Sequence, residues 1–219
     1  MPHLELNNQP IYYRVFGNGN PVIFLHGFLE DQHMWDTIYP HFVEWGFKVY
    51  LLDLPCHGQS RFKGNLCSMT YMAKVVDQLC TEENIVNPHV FGHSMGGYVG
   101  LELLKLRPVQ LTLIHSNFWE DSPEKKKDRN RVAAIVTENK LRLIQEAIPN
   151  LFSVENRPIC KPAIDHLIET ASELPKEEII ASTLGMRDRL DNTNLMNKNH
   201  VHIIHGELDS IVRTEKLNA

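Results

Sequence analysis

Strand-like and helical segments alternate along the first half of this 219-residue chain, which predicts an α/β domain on a mostly parallel, doubly wound sheet. Three observations carry that prediction. Continuous apolar runs end at Leu25, Leu52 and Phe91, the pattern of strands buried on both faces. Apolar residues at helical spacing follow each run. A Gly-x-Ser-x-Gly turn, Gly92-His93-Ser94-Met95-Gly96, then breaks the third run sharply and hands it to a helix.

The elements follow in order. Residues 3–6 and 11–16 flank the turn-favouring pair Asn7-Asn8 and read as an antiparallel hairpin. After a second turn at 17–20, Val22-Ile23-Phe24-Leu25 is a buried strand that runs into His26-Gly27-Phe28. Trp35, Ile38, Tyr39, Phe42 and Val43 share one helical face that Gly46 ends, and residues 47–52 form the next strand, ending in Asp53. The Pro- and Gly-containing stretch 54–60 is a loop. Met72, Val75, Val76 and Leu79 mark another helix, and 86–91 is the strand that feeds the serine turn. Val99, Leu103, Leu104 and Leu106 lie on the helix after it, Pro108 ends that helix, and 111–115 is a fifth strand.

The pattern changes at Asn117. Charged helical segments at 123–140, 141–148, 163–173 and 176–189 follow, with Pro149, Pro158 and Pro162 as breaks, and the strand pattern returns only at 201–205. The chain therefore divides into a core of 1–117 and 200–219 and a helical insertion of 118–199.

Composition excludes several classes of partner. A net charge of −5 leaves no basic stripe to neutralise phosphates, and the run Lys125-Lys126-Lys127 is flanked by Glu124 and Asp128, so nucleic acid is not expected. No apolar stretch reaches bilayer-spanning length and no secretory leader begins the chain, so no membrane partner and a cytoplasmic location are expected. The four cysteines contain no CxxC pair and read as reduced thiols. Of His200, His202 and His205, the first two share one strand face and the third points to the other, so no metal site is expected from them, and no cofactor is implied.

A serine exposed at a strand-to-helix turn is the geometry of an activated nucleophile, which needs a base within hydrogen-bond reach and a carboxylate to orient that base. Ser94 is the candidate nucleophile, and Asp209, on a turn just past a strand, is placed to be the carboxylate. The Ser94 turn, His26-Gly27-Phe28, the loop Asp53-Leu54-Pro55-Cys56-His57-Gly58-Gln59-Ser60 and Gly206-x-x-Asp209-x-x-Val212 occur in the order found in the α/β-hydrolase family, which the chain resembles over nearly its whole length.

The resemblance implies Ser94 as nucleophile, Asp209 as the acid, the backbone N–H groups of Phe28 and Met95 as the oxyanion hole, and the helical insertion as a cap. Under it, His26, His57 and His93 hold loops, and His26, Trp35, Asn117, Phe118 and Trp119 border a substrate pocket together with Tyr98. Arginines of the insertion, Arg129 and Arg189 among them, are solvated or meet a carboxylated substrate. The implied activity is hydrolysis of a small ester, thioester or lactone through an acyl-serine intermediate. Carbon–carbon bond hydrolysis or elimination of a small acid on the same fold is an alternative, as is ligand binding without turnover.

The family pattern departs at one place. Its triad histidine follows the acid, and no histidine follows Asp209 here; the expectation is a chain shortened at its carboxyl end, with the last strand, the last helix and the base beyond residue 219. A complete protein without the base is the competing reading, with His115, at the carboxyl end of the fifth strand, as the substitute. The shortened sheet would expose residues 201–205 as an edge prone to self-association.

Overall fold

In the computed structural model, which describes residues 3–6, 9–196, 200–207, 209, 212 and 217, the apolar runs are strands because their alternate side chains enter two different cores. Ile23 and Leu25 face one cluster with Tyr50, Leu52 and Val90, while Val22 and Phe24 face another with Val49, Leu51 and Trp35. The strands are β1 (His3–Leu6), β2 (Gln9–Phe16), β3 (Asn20–Leu25), β4 (Phe47–Leu52), β5 (His89–His93), β6 (Gln110–Ile114) and β7 (Val201–Ile204). Among the described residues they form one sheet in the order β1-β2-β4-β3-β5-β6-β7. The β1–β2 and β2–β4 pairs are antiparallel and the rest parallel. From β3 the chain moves first to β4 on one side and then to β5 on the other, so a crevice opens at the carboxyl ends of β3 and β5, where such sheets bind ligands.

Helices cover both faces: α1 (Tyr39–Glu44), α2 (Met69–Glu82) and α3 (Met95–Leu103) within the sheet region, then α4 (Pro123–Ala147), α5 (Lys161–Glu173), α6 (Lys176–Arg187) and α7 (Thr193–Met196) between β6 and β7. The last group carries its own core, with Val136, Ile144, Ile148, Ile164 and Ile179 packed on Leu29 from the loop after β3. Among the described residues no helix is long and apolar enough to cross a membrane.

Several boundaries differ from the sequence reading. The strand expected at 86–91 begins at His89, because Asn84 and Asn87 take positive φ, Pro88 has no N–H to donate, and Val86 is 73% exposed. The helix expected from Trp35 to Val43 splits into a 3-10 turn, Gln32–Trp35, and α1, whose first turn accommodates Pro40. The expected break near residue 140 falls at Asn139, which leaves helical geometry (φ −153°, ψ 87°) and accepts the Arg142 N–H at 3.0 Å, capping the second half of α4. The Asn7-Asn8 turn and residues 208, 210 and 211 of the segment carrying Asp209 lie outside the described residues.

A close backbone approach helps tie the α4–α7 region to the sheet layer. Cys67 N–H donates to Ala181 O (3.1 Å), and a Cβ built on Gly185 of α6 would overlap the Cys67 carbonyl. Gly185→Ala is therefore expected to destabilise the protein by about 1–3 kcal/mol, as overpacking against immovable backbone does. A urea midpoint unchanged from wild type would contradict this packing.

Candidate active site

Strand β5 ends at His93, and Ser94 takes φ +48°, ψ −110°, a strained backbone for a residue with a Cβ. Its neighbours hold it there: Ser94 N–H donates to Ile114 O (2.9 Å), and Ser94 O accepts from Ser116 Oγ (2.7 Å) and Gly97 N (3.0 Å). Glycine is required on either side because the chain doubles back on itself. A Cβ on Gly92 would collide with the Gly96 backbone, and one on Gly96 with the carbonyls of Leu25 and His26. That second approach also lays the first turn of α3 against the loop after β3. Met95 is the first residue of α3, so its N–H belongs to the helix end that has no intrahelical acceptor.

A single buried carboxylate joins this turn to the loop after β3. Glu30 Oε2 accepts from Gly27 N (2.7 Å) and from His93 Nδ1 (2.9 Å). Burial by itself pushes the Glu30 carboxyl up, but the His93 imidazole and the Gly27 N–H outweigh it and hold the carboxyl below its usual range. Burial likewise pushes His93 down, and the Glu30 charge and hydrogen bond raise it above an ordinary histidine.

The other histidines of these loops are framework. His26 is fully buried; its Nε2 accepts from Leu54 N (2.9 Å), so Nδ1 carries the proton and donates to Gly27 O (2.8 Å). Asp53 accepts from Gln32 N and Gln59 N, both at 2.9 Å, and so braces the same loops. His57 lies beneath them, and burial pushes its imidazole down to about 3. A histidine that stays neutral when folded protonates only in the unfolded chain between about pH 6.5 and 3, so its contribution to stability falls as pH drops through that window. Between pH 7 and 5 the loss is about 2 kcal/mol. His93, with its raised pKa, works in the opposite sense. Subtracting the pH dependence of the urea midpoint of His57→Gln from that of wild type isolates the His57 effect, and a flat difference would contradict it.

Ser94 lines a cavity of about 650 Å³ between the sheet and the α4–α6 region, within the range of small-molecule sites. Of the residues named for a pocket, Tyr98, Asn117 and Trp119 line this cavity, and Phe28 lines it beside them. Three of the expected pocket residues do not line it. His26 is spent on the Leu54–Gly27 brace, Trp35 is 2% exposed and packs on Phe24 at a 4.8 Å ring separation, and Phe118 turns into the core beside α3. The sequence signal is the same for an aromatic in a core and in a pocket, which is why those positions could not be separated.

The cavity's two arginines are already paired. Arg189 Nη1 lies 2.6 Å and Arg129 Nε 3.1 Å from the same buried carboxylate, Asp121, and the Arg189 guanidinium stacks 4.1 Å from the Tyr98 ring centre. Its ionised lining comprises Glu30, Glu120, Asp121 and Asp191 against Lys125, Arg129 and Arg189. Four anions less three cations leave no surplus positive charge for a carboxylated substrate.

Asp209 sits at the same carboxyl end of the sheet, on a turn closed by its own N–H to Gly206 O (3.1 Å), with Oδ1 accepting from Val212 N (2.9 Å). Its Oδ2 lies 2.9 Å from Nδ1 of His115. His115 follows β6 with φ +47°, its side chain 43% exposed. Neither residue is among the described residues lining the Ser94 cavity. His205 turns toward His115 and Asp209.

Comparison with known proteins places this architecture. Residues 20–112, which hold β3 to β5, the serine turn and the start of β6, match the model of the α/β-hydrolase fold. A thermophilic esterase from Thermogutta terrifontis superposes over 96% of this chain and 79% of its own, with a TM-score of 0.88 and 27% identity. The chain has the α/β-hydrolase fold. An enol-lactonase from Burkholderia xenovorans shares this hydrolase fold over 99% of the chain and 95% of its own, with a TM-score of 0.82 at 16% identity. Among curated proteins, the dihydrolipoyllysine-residue acetyltransferase component of the acetoin cleaving system of Cupriavidus necator is 37% identical over 92 residues, 42% of this chain and 24% of that protein. The pimeloyl-[acyl-carrier protein] methyl ester esterase of Aeromonas hydrophila is 31% identical over 97 residues, 44% of this chain and 36% of that one. The matched part thus spans less than half the length of these curated relatives.

Proposed function

We propose that this hydrolase-fold chain cleaves small, uncharged esters, thioesters or lactones through an acyl-serine intermediate. The observation that carries the reading is Ser94, held at φ +48° on the turn between β5 and α3 and facing a cavity of about 650 Å³. The Ser94 Oγ–H loses its proton to an imidazole as Oγ bonds to the acyl carbon. The Phe28 and Met95 N–H groups receive the oxyanion, and the same proton passes to the departing alcohol, thiol or lactone oxygen as its bond to carbon breaks. Water, activated by that imidazole, then releases the acid. Asp209 orients the imidazole. The α4–α7 region acts as the cap, with Asn117 and Trp119 bordering the acyl group. The pairing of Asp121 with Arg129 and Arg189 supports neutral substrates.

The test is labelling by a fluorophosphonate, which reacts with activated serines. Stoichiometric labelling that Ser94→Ala removes is the expected result, and no labelling of the wild-type chain would overturn the reading. His115→Ala assigns the proton acceptor: loss of labelling as complete as in Ser94→Ala gives the role to His115, and retained labelling gives it to another imidazole. A second reading, ligand binding without turnover, is favoured by one observation, that Asp209 and His115 lie outside the cavity lining. Saturable binding of a neutral ester without labelling or product would establish it.

A further inference from the structure

The cluster at the carboxyl ends of β6 and β7 has an arrangement that the acyl-serine chemistry does not need. His115, His205 and Asp209 each present one ligand atom within 4.8 Å of the others. Asp209 Oδ2 is 2.9 Å from His115 Nδ1 and 3.7 Å from His205 Nδ1, bracketing the roughly 3.3 Å edge of a tetrahedral site whose bonds are about 2.0 Å long. The second observation concerns His205 itself. Its side chain is only 8% exposed, yet neither ring nitrogen has a hydrogen-bond partner among the described residues. A buried imidazole without a hydrogen bond is costly, and coordination to a metal ion removes the cost.

We propose that His115, His205 and Asp209 form a binding site for a divalent transition metal of the zinc class. Two imidazoles and one carboxylate select such a metal over magnesium or calcium, which take oxygen ligands. The backbone already holds the ligands in place: His115 N–H donates to Ile204 O (3.0 Å), beside His205, and Asp209 N–H donates to Gly206 O (3.1 Å). Gly206 gives the His115 ring its room, since a Cβ there would lie 2.9 Å from His115 Cε1. The half-exposed edge of His115 is the entry path and leaves a coordination position for water. Binding itself is independent of the acyl-serine reading. One consequence rests on it: a metal that takes Asp209 Oδ2 withdraws the carboxylate from the base, so occupancy inhibits hydrolysis.

The test is equilibrium dialysis of the full chain, free of any oligohistidine tag, against Zn²⁺, with metal analysis and a Co²⁺ absorption spectrum for tetrahedral geometry. Wild type, Ser94→Ala and His202→Ala are expected to hold about one equivalent, because neither Ser94 nor the exposed His202 is a ligand. His115→Ala and His205→Ala are expected to weaken binding about a hundredfold or more. Should His205→Ala fail to fold, as judged by thermal melting with chelator, the half-exposed His115→Ala decides. Wild-type affinity in His115→Ala, or no binding above that of a histidine-free control protein, would overturn the site.

Discussion

Replacing Ser94 by alanine is expected to reduce kcat/KM on an activated ester such as p-nitrophenyl acetate by about a millionfold, to what bound amides alone accomplish. The size follows from the role: without Oγ no acyl-enzyme forms, and the remaining groups act only on attack by water. A companion variant separates chemistry from fold. Ser94→Gly loses the same activity but is expected to gain about 1 kcal/mol of stability, because the backbone at φ +48° strains any residue that carries a Cβ. Turnover surviving in either variant, or a Ser94→Gly chain less stable than Ser94→Ala, would show that the residue is neither the nucleophile nor strained.

Asp209→Asn is expected to lower kcat about ten-thousandfold with little change in KM, since the amide favours the wrong tautomer of the imidazole while leaving the substrate's contacts alone. Stability should hold, because an asparagine oxygen still accepts from Val212 N, as Oδ1 does now at 2.9 Å. Burst kinetics with a chromogenic ester measure the acylation step directly. A variant that acylates as fast as wild type would remove Asp209 from the mechanism.

The sheet and the serine turn were readable because each depends on neighbours in sequence. Leu25, Leu52 and Phe91 close apolar runs, and Gly92 and Gly96 stand where the returning backbone leaves no room for a Cβ. What could not be read lies in contacts between distant parts of the chain. Glu30 looks like one more loop carboxylate until the fold sets it beside His93, 63 positions away. Asp209 and His115 meet across a separation of 94 residues. Asp121 has no local mark of its burial between Arg129 and Arg189, two arginines that look solvated in sequence. Trp35 and Trp119 show the limit for aromatics: one fills the core and the other walls the cavity, and no local pattern separates them.

Asp121 has one more bearing on how the molecule works. Its carboxylate grips one guanidinium from α4 and another just past α6, so it fastens two parts of that roof to each other, and parting them would strand opposite charges away from water, at several kcal/mol. A roof tied in this way holds its α4 side and its α6 end at a set separation. Under the proposed function, that separation sets how wide an acyl group can lie beside Ser94.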